Sequence, residues 1–166
     1  MDTSLAFAAT AVLSLFLQAK ENPEFTWWAT HKAGSWVKLK MEAEAQGVKV
    51  LIESTHTLLE VSKDKAVVEQ KTKVTAAGQA QPEQTEKEEI LKDKAKNPIK
   101  IDKEGDEEID VAGKKLKCHW VEGTQQDKTT VKFWISKEVP GGVARGEMRG
   151  DQVGVMKIGA VSWEKK

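Results

Sequence analysis

The stretch that decides the fold is residues 116–148, LKCHWVEGTQQDKTTVKFWISKEVPGGVARGEM. Apolar and polar residues alternate in two runs, at residues 116–120 and 131–135. A period of two is typical of β-strands with one buried face, and the polar segment around Gly123 suits a connection between them. The stretch therefore predicts two antiparallel strands that pair as a hairpin.

The sequence Val-Pro-Gly-Gly at residues 139–142 ends the second strand. Proline has no backbone N–H to donate, and each glycine tolerates a positive φ. We therefore predict a tight corner here, followed by another strand from Val143.

The same alternation extends outward to most of the chain. It predicts further strands at residues 37–44, 48–61, 66–76, 84–91, 109–111, 143–148 and 153–163. Adjacent Leu58 and Leu59 predict a bulge, and the alternation before it points His56 inward. The charge of residues 84–91 indicates an edge strand. Residues 92–106 are rich in Lys, Asp and Glu, which predicts a solvated connection with at most a short extended piece at residues 99–101.

The predicted fold class is mainly β. About eight or nine locally connected strands favour one antiparallel sheet that curls into a half-barrel or barrel, with a sandwich as the alternative. One short N-terminal helix packs on this sheet. Helices and strands do not alternate along the chain, which excludes a parallel βαβ architecture.

Helix signals are confined to the segment before the first strand. Asn22 suits an N-cap and Pro23 the first helical position, and Gly34 marks the end of a helix of about three turns. His31 would lie in its last turn. The paired Trp27 and Trp28 allow two interpretations, a ligand lid or hydrophobic docking of a short helix, and we favour docking.

Composition narrows the class of protein. The 166 residues suit one domain, and 26 basic residues balance 26 acidic ones. A formal charge of zero without a basic patch excludes nucleic acid as an expected partner. The single Cys118 cannot form an intramolecular disulfide.

The N-terminus resembles an export signal. The apolar run from Leu5 to Leu17 is shorter than the span of about 20 residues that crosses a bilayer. Ala19 suits the small residue before a cleavage site. We expect residues 1–19 to be a signal peptide and residues 20–166 to be a soluble exported domain without an integral membrane segment. The alternative is a short buried helix of the mature fold.

The segments VAGKKLKC, residues 111–118, and KFWISKEVPGGVARGEM, residues 132–148, carry a resemblance. Together with the signal sequence, the single helix and the long meander, they are similar to exported bacterial proteins with the half-barrel fold of the lipoprotein carrier and receptor pair LolA and LolB. The resemblance implies a curled sheet with an apolar concave face. The carrier family covers that face with several helices, whereas only one is available here.

The sequence offers little support for a catalytic site or a metal site. His31, His56, Cys118 and His119 are the candidate imidazole and thiol groups, and no metal-binding spacing unites them. Cys118 and His119 would point to opposite faces of one strand, which predicts a buried, unreactive thiol. We therefore expect no enzymatic activity, no metal and no cofactor.

Two hypotheses of function remain. In the first, the protein is a non-enzymatic module whose curved sheet binds an apolar small molecule such as a lipid or acyl chain. The candidate ligand-binding residues are Trp28, His56, Trp120 and Phe133. In the second, it is a structural or protein-interaction domain with a filled core, whose protein partners the sequence does not name. A continuous internal cavity would favour the first hypothesis.

Overall fold

The structure, a computed structural model, describes residues 21–45, 47–94, 99–125, 128–151 and 154–166. The predicted signal peptide, residues 1–19, lies outside the described residues. These residues contain one helix and ten strands: α1 (Pro23–Ala29), β1 (Trp36–Ala45), β2 (Val48–Val61), β3 (Lys65–Ala76), β4 (Gln79–Ala80), β5 (Gln84–Leu91), β6 (Lys100–Val111), β7 (Lys114–Thr124), β8 (Thr130–Ile135), β9 (Val143–Gly150) and β10 (Gly154–Glu164).

All ten strands belong to one antiparallel sheet. Their order is β4-β3-β2-β1-β10-β9-β8-β7-β6, and β5 pairs with β3 beside the short β4. The two ends of this order do not pair with each other, so the sheet is a curled, open half-barrel. The predicted mainly β fold with one short helix is confirmed, and the closed barrel and the sandwich are excluded.

The topology consists of two meanders joined in the middle of the sheet. The first meander runs from β1 to β5 and the second from β6 to β10, and the first and last strands pair directly, with Leu39 opposite Ala160. The far edges of the sheet are therefore β5 on one side and β6 on the other. The prediction that residues 84–91 form an edge strand is confirmed, because among the described residues β5 has one strand partner, β3.

One row of cross-strand partners defines the inner face of the sheet, the face that α1 covers. It includes Ile52, Met41, Ile158, Gly146, Phe133 and Val121. Leu39, Met41, Ile52, Phe133 and Ile158 are each at most 3% exposed. Because successive residues of a strand point to opposite faces, this row fixes the orientation of every strand that it crosses.

Two sequence predictions about β2 are confirmed. The register between β2 and β3 shifts between Leu58 and Glu60, at the predicted bulge. His56 lies on the inner face and is 1% exposed.

The region before β7 differs from its prediction. Residues 100–111 form one long strand paired with β7, whereas we predicted a connection through residue 106 and a strand at residues 109–111. Eight of the twelve residues of β6 are exposed, and all eight are charged, so the strand shows no apolar alternation. Its pairing with β7 stabilises it in spite of its composition.

The helix is shorter than predicted. It ends at Ala29, and the Thr30 hydroxyl donates to the Trp27 carbonyl at 2.8 Å. The N–H of His31 donates to the Trp28 carbonyl at 3.0 Å, which tightens the chain into a turn. His31 and Gly34 consequently follow the helix instead of forming its last turn and its end.

Candidate functional site

A cavity lies on the inner face of the sheet, and we call it the groove. It measures about 1050 Å³ and is bounded by α1, by the β6–β7 hairpin and by the connection after β8. Its apolar lining includes Trp27, Ile101, Val121, Ile135 and Val139. Its polar lining includes Glu104, Asp106, Lys117, His119, Lys137 and Glu138. The groove is thus apolar at its base and charged along its sides.

Two glycines of the Val-Pro-Gly-Gly corner hold α1 beside the groove. Gly141 and Gly142 have φ angles of 76° and 83°. A Cβ atom on Gly141 would lie 2.7 Å from the Trp28 ring, and one on Gly142 would lie 2.6 Å from the Trp27 ring. The two indoles therefore pack directly on the corner backbone, which only glycine permits.

Asn22 anchors the other end of the helix. Its side-chain oxygen accepts from the N–H of Glu24 at 3.1 Å, as an N-cap does. Its side-chain amide donates to the carbonyl of Leu91 at 3.0 Å, at the end of β5. The predicted N-cap is confirmed, and it also ties α1 to the first meander.

The adjacent tryptophans of α1 have different environments. Trp28 is 1% exposed and belongs to the core, as expected for a docked helix. Trp27 is half-buried and lines the groove. The helix is therefore docked by one indole and contributes the other to a cavity wall.

His119 lies between two carboxylates on the β6 side of the groove. Its Nδ1 is 2.9 Å from Asp106 Oδ1, and its Nε2 is 3.3 Å from Glu104 Oε2. The hydrogen bond with Asp106, assisted by Glu104, raises the pKa of His119 above its ordinary value despite some desolvation. This side of the groove is thus electronegative.

Three of the four predicted ligand-binding residues are core residues on the inner face. Trp28, His56 and Phe133 are 1%, 1% and 0% exposed, and none of them lines the groove. His56 Nε2 is 2.7 Å from the Ser54 hydroxyl, which is 3.1 Å from that of Thr72. Desolvation by burial lowers the pKa of His56 to about 4.

The fourth, Trp120, lies on the opposite face of the sheet. It pairs with Trp134, whereas Phe133 pairs with Val121. Lys132 Nζ is 4.6 Å from the centre of the Trp120 ring, an arrangement suited to a cation–π interaction. The structure therefore does not bring Trp120 together with the other three, and a ligand contact by any of the four stays a prediction.

Cys118 and His119 point to opposite faces, as predicted. Cys118 is 3% exposed, and burial raises the pKa of its thiol. In the described part of the chain, no three His, Cys, Asp or Glu side chains are arranged to hold a metal ion. The same residues include no helix long and apolar enough to cross a membrane.

Replacing Cys118 by Ala is expected to lower the free energy of unfolding by about 1 to 2 kcal/mol, because the substitution removes a buried sulfur. Urea denaturation of the two proteins measures this difference. The native thiol should also react with a maleimide at neutral pH far more slowly than the unfolded chain does. Rapid labelling of the folded protein would contradict the assignment of an unreactive core thiol.

Sequence reasoning missed most of the groove. Ile101 fell in a predicted connection, at the end of a possible short extended piece. Trp27 was considered as part of a ligand lid, but docking of the helix was favoured. Val121 and Ile135 lie in correctly predicted strands, but alternation alone does not tell a cavity wall from a filled core. Two contacts locate this cavity: the contact of α1 with the corner, and the pairing of β6 with β7.

No protein-family model matches the chain, and no curated protein matches it significantly. Among solved structures, a proposed exported protein with a YmcC-like fold from Bacteroides fragilis matches with a TM-score of 0.50 and 8% identity, over 81% of this chain and 97% of that one. MucB, in complex with periplasmic MucA, matches with a TM-score of 0.40 and 12% identity, over 86% of this chain and 56% of that one. A DUF1329 family protein from Desulfovibrio piger matches with a TM-score of 0.32 and 9% identity, over 87% and 92%.

These comparisons bear on the fold. At 8% identity, the Bacteroides fragilis protein shares an architecture with this chain, and the likeness does not extend to function. The two weaker matches add no argument. The resemblance to exported bacterial half-barrel proteins is therefore supported at the level of the fold alone.

Proposed function

We propose that this chain is a non-catalytic, exported binding module that holds an apolar ligand, such as a lipid or acyl chain, in the groove. The observation that carries the proposal is the cavity of about 1050 Å³ beside the half-buried Trp27. Ligand pockets in proteins commonly measure about 300 to 1,000 Å³ and are lined mainly by apolar side chains. The groove has the size and lining for such a ligand.

The lining explains why an apolar ligand is favoured. Ile101, Val121 and Ile135 come from three neighbouring strands and contribute apolar side chains to the groove. Trp27 adds an aromatic wall from α1. Covering this surface removes apolar area from water, which contributes about 25 cal/mol for each Å² buried.

Export and the absence of catalysis are parts of the same proposal. Export rests on the signal-like residues 1–19 of the sequence. A non-catalytic role rests on the burial of two side chains, because His56 is 1% exposed and Cys118, which borders the groove, is 3% exposed. The zero formal charge argues against nucleic acid as the partner.

The rival hypothesis is an interaction domain without a small-molecule ligand. The core favours it, because Trp28, His56 and Phe133 are each at most 1% exposed and belong to the packed interior. The two hypotheses differ in whether the groove is occupied by a small molecule or is covered by a protein.

Titration with a long-chain fatty acid and a lysolipid tests the proposal. At a ligand concentration 100-fold above Kd, binding to the folded state adds about 2.7 kcal/mol of stability. The melting temperature should then rise by about 5 °C or more. The tryptophan emission should shift in wild type, and this shift should decrease in Trp27→Phe but persist in Trp120→Phe, whose ring lies on the other face.

Two isoleucines of β6 provide a matched pair of variants. Ile101 lines the groove, whereas Ile109 is equally half-buried outside it. Ile101→Lys should weaken ligand binding about tenfold or more, because a charge enters the apolar lining of the groove, while Ile109→Lys should leave the affinity within about twofold. If no apolar ligand changes emission or melting temperature, the interaction-domain hypothesis prevails.

A further inference from the structure

Strand β6 presents an open edge of the half-barrel. It is twelve residues long, and among the described residues β7 is its only strand partner. The backbone N–H and C=O groups on its outer side can therefore pair with another extended chain, which is how sheets recruit peptides.

The open stretch of this edge has a defined end. Arg145 Nη2 donates to the Asp110 carbonyl at 2.8 Å, and Val111 is buried. The Asp110 carbonyl is consequently engaged by the protein itself, and we take the open stretch to end before it. The open stretch is therefore residues 100–108, which at the rise of a β-strand is about 27 Å long.

The charge of this edge selects its partner. Strand β6 carries two lysines and six carboxylates, which leaves four negative charges, and all eight side chains are exposed. Glu104 and Asp106 share the single imidazole of His119. Lys115 Nζ lies 3.9 Å from Glu108 Oε1 and is partly exposed, so it neutralises that carboxylate weakly.

A second copy of this chain does not fit the edge. Pairing β6 with another β6 would place carboxylates of both strands in one row, and like charges across a strand pair destabilise it. The other free edge, β5, carries Glu86, Glu88 and Glu89 against one lysine, so pairing β6 with β5 meets the same repulsion. The observations favour a strand of opposite charge.

We propose that β6 is a docking edge for an extended, basic segment of a partner protein. The segment adds a strand to the half-barrel along residues 100–108. Its Lys or Arg side chains alternate with uncharged residues, so that the cationic face lies beside Glu104 and Asp106 on the inner face. This interaction goes beyond the groove ligand and does not require it.

Synthetic octapeptides that alternate Lys and Thr test strand addition directly. Backbone amides of an added strand point alternately toward β6 and away from it. One peptide is N-methylated at its Lys residues and an isomer at its Thr residues, so their composition and charge are identical. Fluorescence anisotropy should show that one isomer loses at least tenfold in affinity relative to the unmethylated peptide, while the other retains it.

Charge-reversal variants test where the peptide docks. Glu104→Lys with Asp106→Lys should weaken binding of the unmethylated peptide at least tenfold, because two opposite-charge cross-strand pairs become like-charge pairs. Glu86→Lys with Glu88→Lys makes the same change in net charge on β5 and should alter the affinity less than threefold. Hydrogen exchange should slow at β6 amides when the peptide binds.

Three results would overturn this inference: equal affinity of the two N-methylated isomers, equal losses from the β6 and β5 variants, or unchanged exchange at β6. Each would reduce the interaction to diffuse charge attraction, and an acidic edge would then serve only to prevent pairing between copies. The lipid titration is performed without peptide and the peptide titration without lipid, so failure of one proposal is distinguishable from failure of the other.

Discussion

Gly141→Ala is expected to lower the free energy of unfolding by about 2 to 5 kcal/mol. The φ of Gly141 is 76°, where a side chain with a Cβ atom is strained by about 1 to 2 kcal/mol. The new methyl group would also lie 2.7 Å from the ring of Trp28, which is 1% exposed and cannot move aside without disturbing the core. Overpacking of this kind adds about 1 to 3 kcal/mol.

Gly113→Ala is the matched control. Gly113 also has a φ of 76°, and no atom lies within 4 Å of the position that its Cβ would take. Gly113→Ala should therefore lower the free energy of unfolding only by the backbone strain, without the steric contact. Urea denaturation at neutral pH gives both losses, and their difference measures the packing of Trp28 on the corner. Equal losses in the two variants would contradict a tight contact between α1 and the corner.

This contact illustrates which parts of the fold the sequence predicts. The helix with its paired indoles and the Val-Pro-Gly-Gly corner were each predicted, because capping residues, proline and glycine are local signals. More than a hundred residues separate Trp28 from Gly141. Their packing depends on how β8 and β9 are placed relative to the first meander, which local signals do not specify.

Strands with one buried face were predicted well, and β6 was not. The bounds of β2 match residues 48–61, because one of its faces is apolar over most of its length. Both faces of β6 are charged and exposed, so periodicity is absent and pairing with β7 alone makes it a strand. An edge strand of this kind looks like a solvated loop in the sequence.

The site was predicted less well than the fold. Inward orientation identified His56 and Phe133 correctly, but an inward residue lines a cavity only where no other side chain covers it. The curl of the sheet and the position of α1 determine which inward residues are covered. Trp120 and Phe133 also fall on opposite faces because Trp120 pairs with Trp134, and this register depends on the length of the β7–β8 connection.

Acidification is expected to destabilise the protein through His56. The imidazole has an ordinary pKa of 6.5, and its burial lowers the pKa to about 4 in the folded state. Between these values the unfolded chain binds a proton at His56 that the folded chain does not bind. The free energy of unfolding therefore falls as the pH falls through this window, by about 2 kcal/mol between pH 7 and pH 5 and by about 3 kcal/mol once both states are protonated.

The effects of the other titrating groups on stability can be distinguished from the effect of His56. The pKa of His31 is lowered, chiefly by desolvation and also by Lys165, so its effect has the same sign. The pKa of His119 is raised by its carboxylate partners, so its stabilisation is present at low pH and is lost as the pH rises. The lowered pKa values of Glu42, Glu138 and Glu164 affect stability near and below pH 4.5. His31→Gln and His119→Gln are therefore measured in parallel.

His56→Gln isolates the effect, because the glutamine amide can keep a hydrogen bond to Ser54 and has no proton to bind. At pH 7 the variant should be less stable than wild type, since it fills the site imperfectly. At pH 5 that difference in stability should shrink by about 2 kcal/mol or reverse. Wild type loses stability on acidification because its unfolded chain binds a proton at residue 56 that its folded state does not bind, whereas glutamine binds none in either state. Urea denaturation at both pH values measures the change. If His56→Gln retains the full pH dependence while His31→Gln loses it, the buried proton site is His31 and the assignment to His56 is wrong.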